Sequence, residues 1–292
     1  MTTLIDVIAQ PLSHAFMVRG LVAALLVGVV CAILGTYVVL RGMAFLGDAL
    51  AHSILPGIAV GYLVGGGTRG PLFWWALGTG IVAALGIGAI SRQGQIKEDT
   101  AIGVIFAGML ALGVALISTA RSYSVDLAHF LFGDVLGVAT EDLLLSGVFG
   151  ALVLLLVLAF YKEFLVVSFD PIMAATLRLP TRFFDYLMLV MLAVTVVISL
   201  QTVGVALMVA MLVTPAATAL LLTRRLPAMM AVSAGIGAFS AIAGLYLSYY
   251  ANVASGAAIV LVATTLFGLA FLLSPERGVL ARRAAERTPP PS

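Results

Sequence analysis

Apolar stretches about twenty residues long recur along nearly the whole chain, and few architectures can accommodate that. A helix crossing the hydrocarbon core of a bilayer needs about 20 consecutive, mostly apolar residues. Windows of this kind fall near 18–40, 50–67, 72–90, 100–119, 143–160, 186–205, 206–222, 228–250 and 256–273. Nine windows in 292 residues predict an all-α, polytopic membrane protein; if the sixth and seventh merge, the count is eight. Charge content agrees, since only 10% of the residues are charged, against about 25% in an ordinary soluble domain. So few charges cannot clothe a water-soluble surface of this size, and lipid is the expected solvent.

The second and seventh windows are short and broken by Pro56 and Pro215. Proline within a span frees a backbone carbonyl, which lipid cannot satisfy, so both segments are expected to face protein or a pathway. Orientation follows from the cations. With nine spans and an external N-terminus, Arg41, Arg92, Lys97, Lys162, Arg178, Arg182, Arg224, Arg225, Arg277, Arg282, Arg283 and Arg287 fall inside. Arg19, Arg69 and Arg121 fall outside, and this excess predicts a cytoplasmic C-terminus. No positively charged region leads the first apolar run, so a cleavable signal is not expected.

The domain reading is one transmembrane unit over 1–275 and a disordered cytoplasmic tail over 276–292, rich in Arg and Pro. Two stretches stand outside the spans. Residues 121–142 carry Asp126, His129, Asp134, Glu141 and Asp142 and are assigned to the extracytoplasmic side. Residues 161–185 mix charges with Phe and Leu, which suggests a short amphipathic helix on the cytoplasmic side.

Several chemistries are excluded. The only lysines, Lys97 and Lys162, follow Ile96 and Tyr161, so neither completes a Gly-Lys-Ser/Thr phosphate loop. There is no His-Glu-x-x-His helix, and three scattered histidines make a three-histidine zinc site a poor fit. The single cysteine, Cys31, sits in an apolar run and reads as a small hydrophobe. A net charge of +2, spread thinly, gives no footprint for nucleic acid. No catalytic residue and no permanently bound cofactor are expected.

The most informative stretch is Arg41-Gly-Met-Ala-Phe-Leu-Gly-Asp-Ala-Leu-Ala-His-Ser-Ile-Leu-Pro-Gly57. Asp48 and His52 stand four apart, so on a helix they share a face and could reach one cation. Ionisable groups within a span are costly and usually line pathways or pair internally. Carboxylate oxygen with imidazole nitrogen suits zinc, manganese or ferrous iron. Two ligands are too few for a tight site, so a second copy would have to complete it. The alternatives are that Asp48 caps the second span and that His52 is buried against a carbonyl. Gly57, Gly61 and Gly65 recur every fourth residue and read as helix packing. His129 with Asp126 and Asp134 is either an external metal-entry point or a loop that is solvated or docked to a partner, and His14 reads as interfacial.

The run from Arg41 to Gly57 closely resembles the signature of the manganese/zinc/iron ABC-importer permease family. Phe132-Gly-Asp-Val-Leu-Gly137 resembles a second family segment, and Val203-Gly-Val through Leu212-Val-Thr-Pro-Ala-Ala-Thr218 a third. The resemblance runs from about residue 12 to 275. It implies the ABC-importer permease fold and a dimer of permeases, identical or paralogous, working by alternating access in a bacterial plasma membrane. It also implies cytoplasmic ATPase subunits and an extracytoplasmic metal-binding protein as partners. Asp48 and His52 fall on family positions associated with the metal pathway. Asp170-Pro-Ile-Met-Ala-Ala-Thr-Leu-Arg-Leu-Pro180 aligns with the family's ATPase-coupling segment, which points to Asp170, Pro171, Ala174, Leu179 and Pro180. Family members often have an acidic residue after that proline and glycine before the Leu-Pro, where this chain has Ile172 and Arg178. A gradient-driven secondary transporter would also carry broken helices with ionisable groups, and the segment 161–185 is what separates the two readings.

Overall fold

Two features of the sequence set the helix boundaries: apolar runs of membrane-spanning length, and the prolines, glycines and acidic residues that punctuate them. The computed structural model describes residues 9–65, 69–93, 96–119 and 135–274. Among these residues it is all-helical, with nine spans long and apolar enough to cross a membrane. Asp126, His129, Asp134 and the tail over 276–292 lie outside the described residues.

The first span is α1 (Ala15–Leu40). The second is split into α2 (Leu46–Ser53) and α3 (Leu55–Gly65). Then follow α4 (Arg69–Gln93) and α5 (Glu98–Ser118). After a 3₁₀ turn at Val135–Gly137 comes α6 (Thr140–Ala159). Two short helices, α7 (Tyr161–Phe169) and α8 (Pro171–Thr176), precede the last four spans. These are α9 (Thr181–Val203), α10 (Val205–Leu222), α11 (Leu226–Ala251) and α12 (Ser255–Leu273).

Gly204 keeps α9 and α10 apart. Its φ of 82° and ψ of 169° leave the helical region and are readily available only to glycine, so the eight-span alternative is set aside. The segment 161–185 holds two short helices rather than one, because Asp170-Pro171 ends α7 and starts α8, and α9 already begins at Thr181. Glu141 and Asp142 open α6 instead of belonging to the preceding connection. Asp142 accepts a hydrogen bond from the Ala139 N–H at 3.3 Å, where the helix dipole favours an anion.

Helix α1 is the axis of the bundle and packs against α6, α9, α10 and α11. Small residues let these backbones meet. A Cβ on Gly237 would lie 2.7 Å from the Gly28 carbonyl oxygen, and a Cβ on Gly57 2.3 Å from that of Trp75. Buried hydroxyls add interhelical hydrogen bonds, Ser233 to the Ala32 carbonyl at 2.9 Å and Ser274 to that of Leu221 at 2.8 Å. Pro56 and Pro215 are both buried, as expected of spans whose freed carbonyls must face protein, but only the second span is broken: α10 continues through Pro215, whose freed carbonyl the packed bundle tolerates. Helices α5, α6 and α12 turn large apolar side chains outward, among them Val104, Leu155 and Leu261, which is the surface lipid would cover.

Candidate metal-pathway site and coupling segment

Helix α2 exists because α1 must stop. Gly42, at φ 72°, turns the chain after Arg41, and a short loop leads to Leu46. The helix then runs eight residues and breaks at Ile54, just ahead of Pro56. Proline has no N–H to return to the carbonyl four residues back, which is that of His52. The result is a short helix held between buried neighbours: Leu46, Gly47, Ala49, Leu50, Ala51 and Ser53 all point inward.

Asp48 and His52 take the remaining face. Their Oδ1 and Nε2 atoms lie 3.6 Å apart, with the side chains 34% and 29% exposed. That separation is longer than a hydrogen bond, and both groups stay accessible from outside the bundle. Asp48 is not the cap of the helix: the N-cap position belongs to Phe45, and Asp48 lies in the first turn, where the helix dipole favours its carboxylate. The His52 ring stands edge-on to Phe106 of α5 at 5.8 Å, and Phe106 in turn meets Phe45 at 6.0 Å. Among the described residues no group of three His, Cys, Asp or Glu side chains comes together, so none of them adds a third such group to Asp48 and His52.

The segment aligned with ATPase coupling is built from standard helix-end chemistry. Asp170 caps α8, its Oδ1 accepting the Met173 N–H at 2.8 Å, and Pro171 occupies the first turn, where a missing N–H costs nothing. At the other end the Leu179 N–H returns to the Ala174 carbonyl at 3.1 Å and the Arg178 N–H to that of Ala175 at 3.0 Å. This is the Schellman pattern, which needs a left-handed residue between helix and exit. Arg178 is that residue, at φ 56°, which accounts physically for a glycine being suitable there. Ala174 is fully buried, Leu179 partly so, and Pro180 is the N-cap residue of α9. The outer face of the segment is apolar: Phe169, Ile172, Met173 and Leu177 are all more than half exposed.

Beside this segment lies a charged cluster. Arg41 donates to Ser168 Oγ at 3.1 Å and to Asp185 Oδ1 at 2.7 Å, and Arg92 of α4 pairs with the same Asp185. Burial lowers the Arg41 pKa from its ordinary value, and the nearby carboxylate of Glu98 opposes that shift. His14 lies at the other end of the bundle, its Nδ1 near Ser13 Oγ and its ring beside Phe16 and Tyr249.

The profile of the ABC 3 transport family matches residues 13–274. The chain belongs to this family. Among ABC 3 transport relatives, the manganese transport system membrane protein MntC of Halalkalibacterium halodurans is 47% identical over 273 residues, 94% of this chain and 92% of that protein. A probable iron transport system membrane protein of Haemophilus influenzae is 39% identical over 93% of this chain and 98% of that protein. Among solved structures, PsaBC from Streptococcus pneumoniae in complex with Fab aligns with a TM-score of 0.83 and 38% identity, covering 96% of this chain and all of that one. The ABC 3 permease fold is therefore shared along the length of the chain.

Sequence reasoning brought out Asp48 and His52 but missed Phe45, Phe106 and the Arg41 cluster. Arg41 was visible as a cation at the end of an apolar run; its partners, 127 and 144 residues away, left no local signal.

Proposed function

We propose that this chain is the membrane-spanning permease subunit of an ATP-driven ABC importer of divalent transition-metal ions, with manganese as the first cargo to test and zinc and iron as its rivals. The observation that carries the reading is the Asp48–His52 pair, held accessible on a short helix inside an ABC 3 transport bundle. The names of relatives, manganese for some and iron for another, support that class of cargo. Asp and His accept all these metals, so the ion taken up depends on what a delivering protein presents.

Two ligands from one copy and two from a second would give a transient four-ligand site across a two-fold axis. The permease supplies this path and is not itself an enzyme. Energy comes from cytoplasmic ATPase subunits docked on α8, where Ile172, Met173 and Leu177 form an exposed apolar face on a capped helix. An extracytoplasmic metal-binding protein delivers the ion at the opposite end. Arg41, Arg92 and Arg182 lie toward the α8 end of the bundle, which supports a cytoplasmic placing of that end and of the C-terminus in a bacterial plasma membrane. A gradient-driven carrier would have no use for such a docking helix.

The test is purification of the tagged chain from its own membrane in mild detergent, followed by uptake of radiolabelled manganese, zinc and iron in proteoliposomes. A co-purifying ATPase and ATP-dependent uptake of one of these ions would bear the reading out. Recovery of the chain without an ATPase, with uptake driven by an ion gradient, would refute it.

A further inference from the structure

Arg41 closes α1 immediately before Gly42, whose positive φ turns the chain toward α2 and so toward Asp48 and His52. The same side chain reaches both flanks of the coupling segment. Its Nε donates to Ser168 Oγ at 3.1 Å, in the last turn of α7, two residues before the Asp170 cap of α8. Its Nη1 donates to Asp185 Oδ1 at 2.7 Å, at the start of α9, just beyond the Leu179-Pro180 exit. The side chain is only 12% exposed, so this connection crosses the packed end of the bundle and not its open surface.

We propose that Arg41 is a positioning residue: the strut through which movement of the coupling segment reaches the helix that carries Asp48 and His52. The inference rests on the reading of the chain as an ATP-driven permease and names how its two sites communicate. A guanidinium is a rigid planar fork, so two hydrogen bonds fix its orientation, which a flexible ammonium cannot reproduce. Displacement of α7 or of the start of α9 therefore moves the backbone of Arg41. Gly42 follows directly, and a Cβ there would meet nothing within 4 Å, so what this position requires is its left-handed conformation, a hinge that pivots without unpacking a neighbour. Arg92 provides an internal contrast. It pairs with the same Asp185, but it belongs to α4 and does not lead into α2.

The test uses the complete transporter, with its ATPase subunits, in proteoliposomes, and reads ATP hydrolysed per ion taken up, with whichever of manganese, zinc and iron the wild type transports. Arg41→Gln is expected to raise that ratio about 5-fold or more, the lower end of ordinary coupling energies, while the ATPase still co-purifies. Ser168→Ala should move it in the same direction by less, and Arg41→Lys should fail to restore it. Arg92→Gln should leave the ratio at the wild-type value, whatever it does to yield. An unchanged ratio in Arg41→Gln overturns the proposal, and so do equal rises in Arg41→Gln and Arg92→Gln, which would assign the effect to the charge cluster as a whole. If Arg41→Gln does not accumulate, Ser168→Ala and Arg41→Lys decide, and a wild-type ratio in both overturns it. A wild-type transporter that shows no ATP-driven uptake removes the functional reading itself, so the two failures are told apart.

Discussion

Asp48 and His52 face each other across one turn of an eight-residue helix, their reactive atoms 3.6 Å apart. Their packing, not their pairing, fixes that geometry: the remaining residues of the helix anchor it from behind, and Phe106 holds the imidazole from the side. Loss of partners that only orient a metal ligand costs about 10–100-fold in affinity or activity, so loss of a ligand should cost at least as much. Asp48→Ala and His52→Ala are each expected to reduce metal uptake by about 10-fold or more, with the amount of protein in the membrane unchanged. Phe106→Ala should give a smaller loss. Uptake at wild-type rates in the Asp48→Ala, His52→Ala double variant would remove the pair from the pathway.

The ends of α8 offer a stability test with competing terms. Arg178 stands at φ 56°, where an L-residue carries a cost of roughly 1–2 kcal/mol that glycine escapes. Glycine loses more backbone entropy on folding, by about 0.5–1 kcal/mol, so Arg178→Gly should still gain roughly 0.5–1 kcal/mol. Asp170→Ala removes the side-chain acceptor for the Met173 N–H and should lose about 1 kcal/mol. Thermal unfolding of the detergent-solubilised protein should show Tm rising in the first variant and falling in the second; a fall in Arg178→Gly would mean that the arginine side chain contributes more than its backbone costs.

How far the sequence alone carried depended on whether the signal was local. The spans were legible because a bilayer demands long apolar runs, and the Asp48–His52 pair because a helix puts residues four apart on one face. The break in the second span was tied to Pro56, and the helix already ends at Ser53, since the effect of a missing N–H is felt at the residues before it. The start of α6 was misplaced because Glu141 and Asp142 look like loop residues until their position at a helix N-terminus is known. Arg41 was hidden for a different reason: its role depends on tertiary contacts that no window of the sequence contains.

The apolar face of α8 makes a prediction about assembly. Ile172 is 79% exposed at the end of the bundle that carries α8, and Met173 and Leu177 lie beside it. A helix of six residues capped at both ends can bear substitution on its outer face without unfolding, because its caps come from Asp170, Ala174 and Ala175. Ile172→Glu should therefore leave the permease folded and in the membrane while the ATPase subunits no longer co-purify. Stoichiometric recovery of the ATPase with Ile172→Glu would mean that docking uses another surface.

Among the described glycines, Gly35 sets the sharpest limit on substitution. A Cβ on Gly35 of α1 would lie 1.8 Å from the Leu212 carbonyl oxygen of α10, and the contacting atom is backbone, which cannot rotate away. Leu212 also presses its side chain on Gly47, next to Asp48, so separating α1 from α10 would disturb the helix that carries Asp48 and His52. Gly103 of α5 offers the opposite case, since nothing would lie within 4 Å of a Cβ there. Alanine in an exposed helix interior is favoured over glycine by about 0.5–1 kcal/mol, so Gly103→Ala should be neutral or stabilising. Gly35→Ala should instead prevent accumulation of the folded protein or lower its Tm well below that of Gly103→Ala. Fluorescence-detected size-exclusion of both variants from the same membranes makes the comparison, and equal, monodisperse yields would show that α1 and α10 do not meet at Gly35.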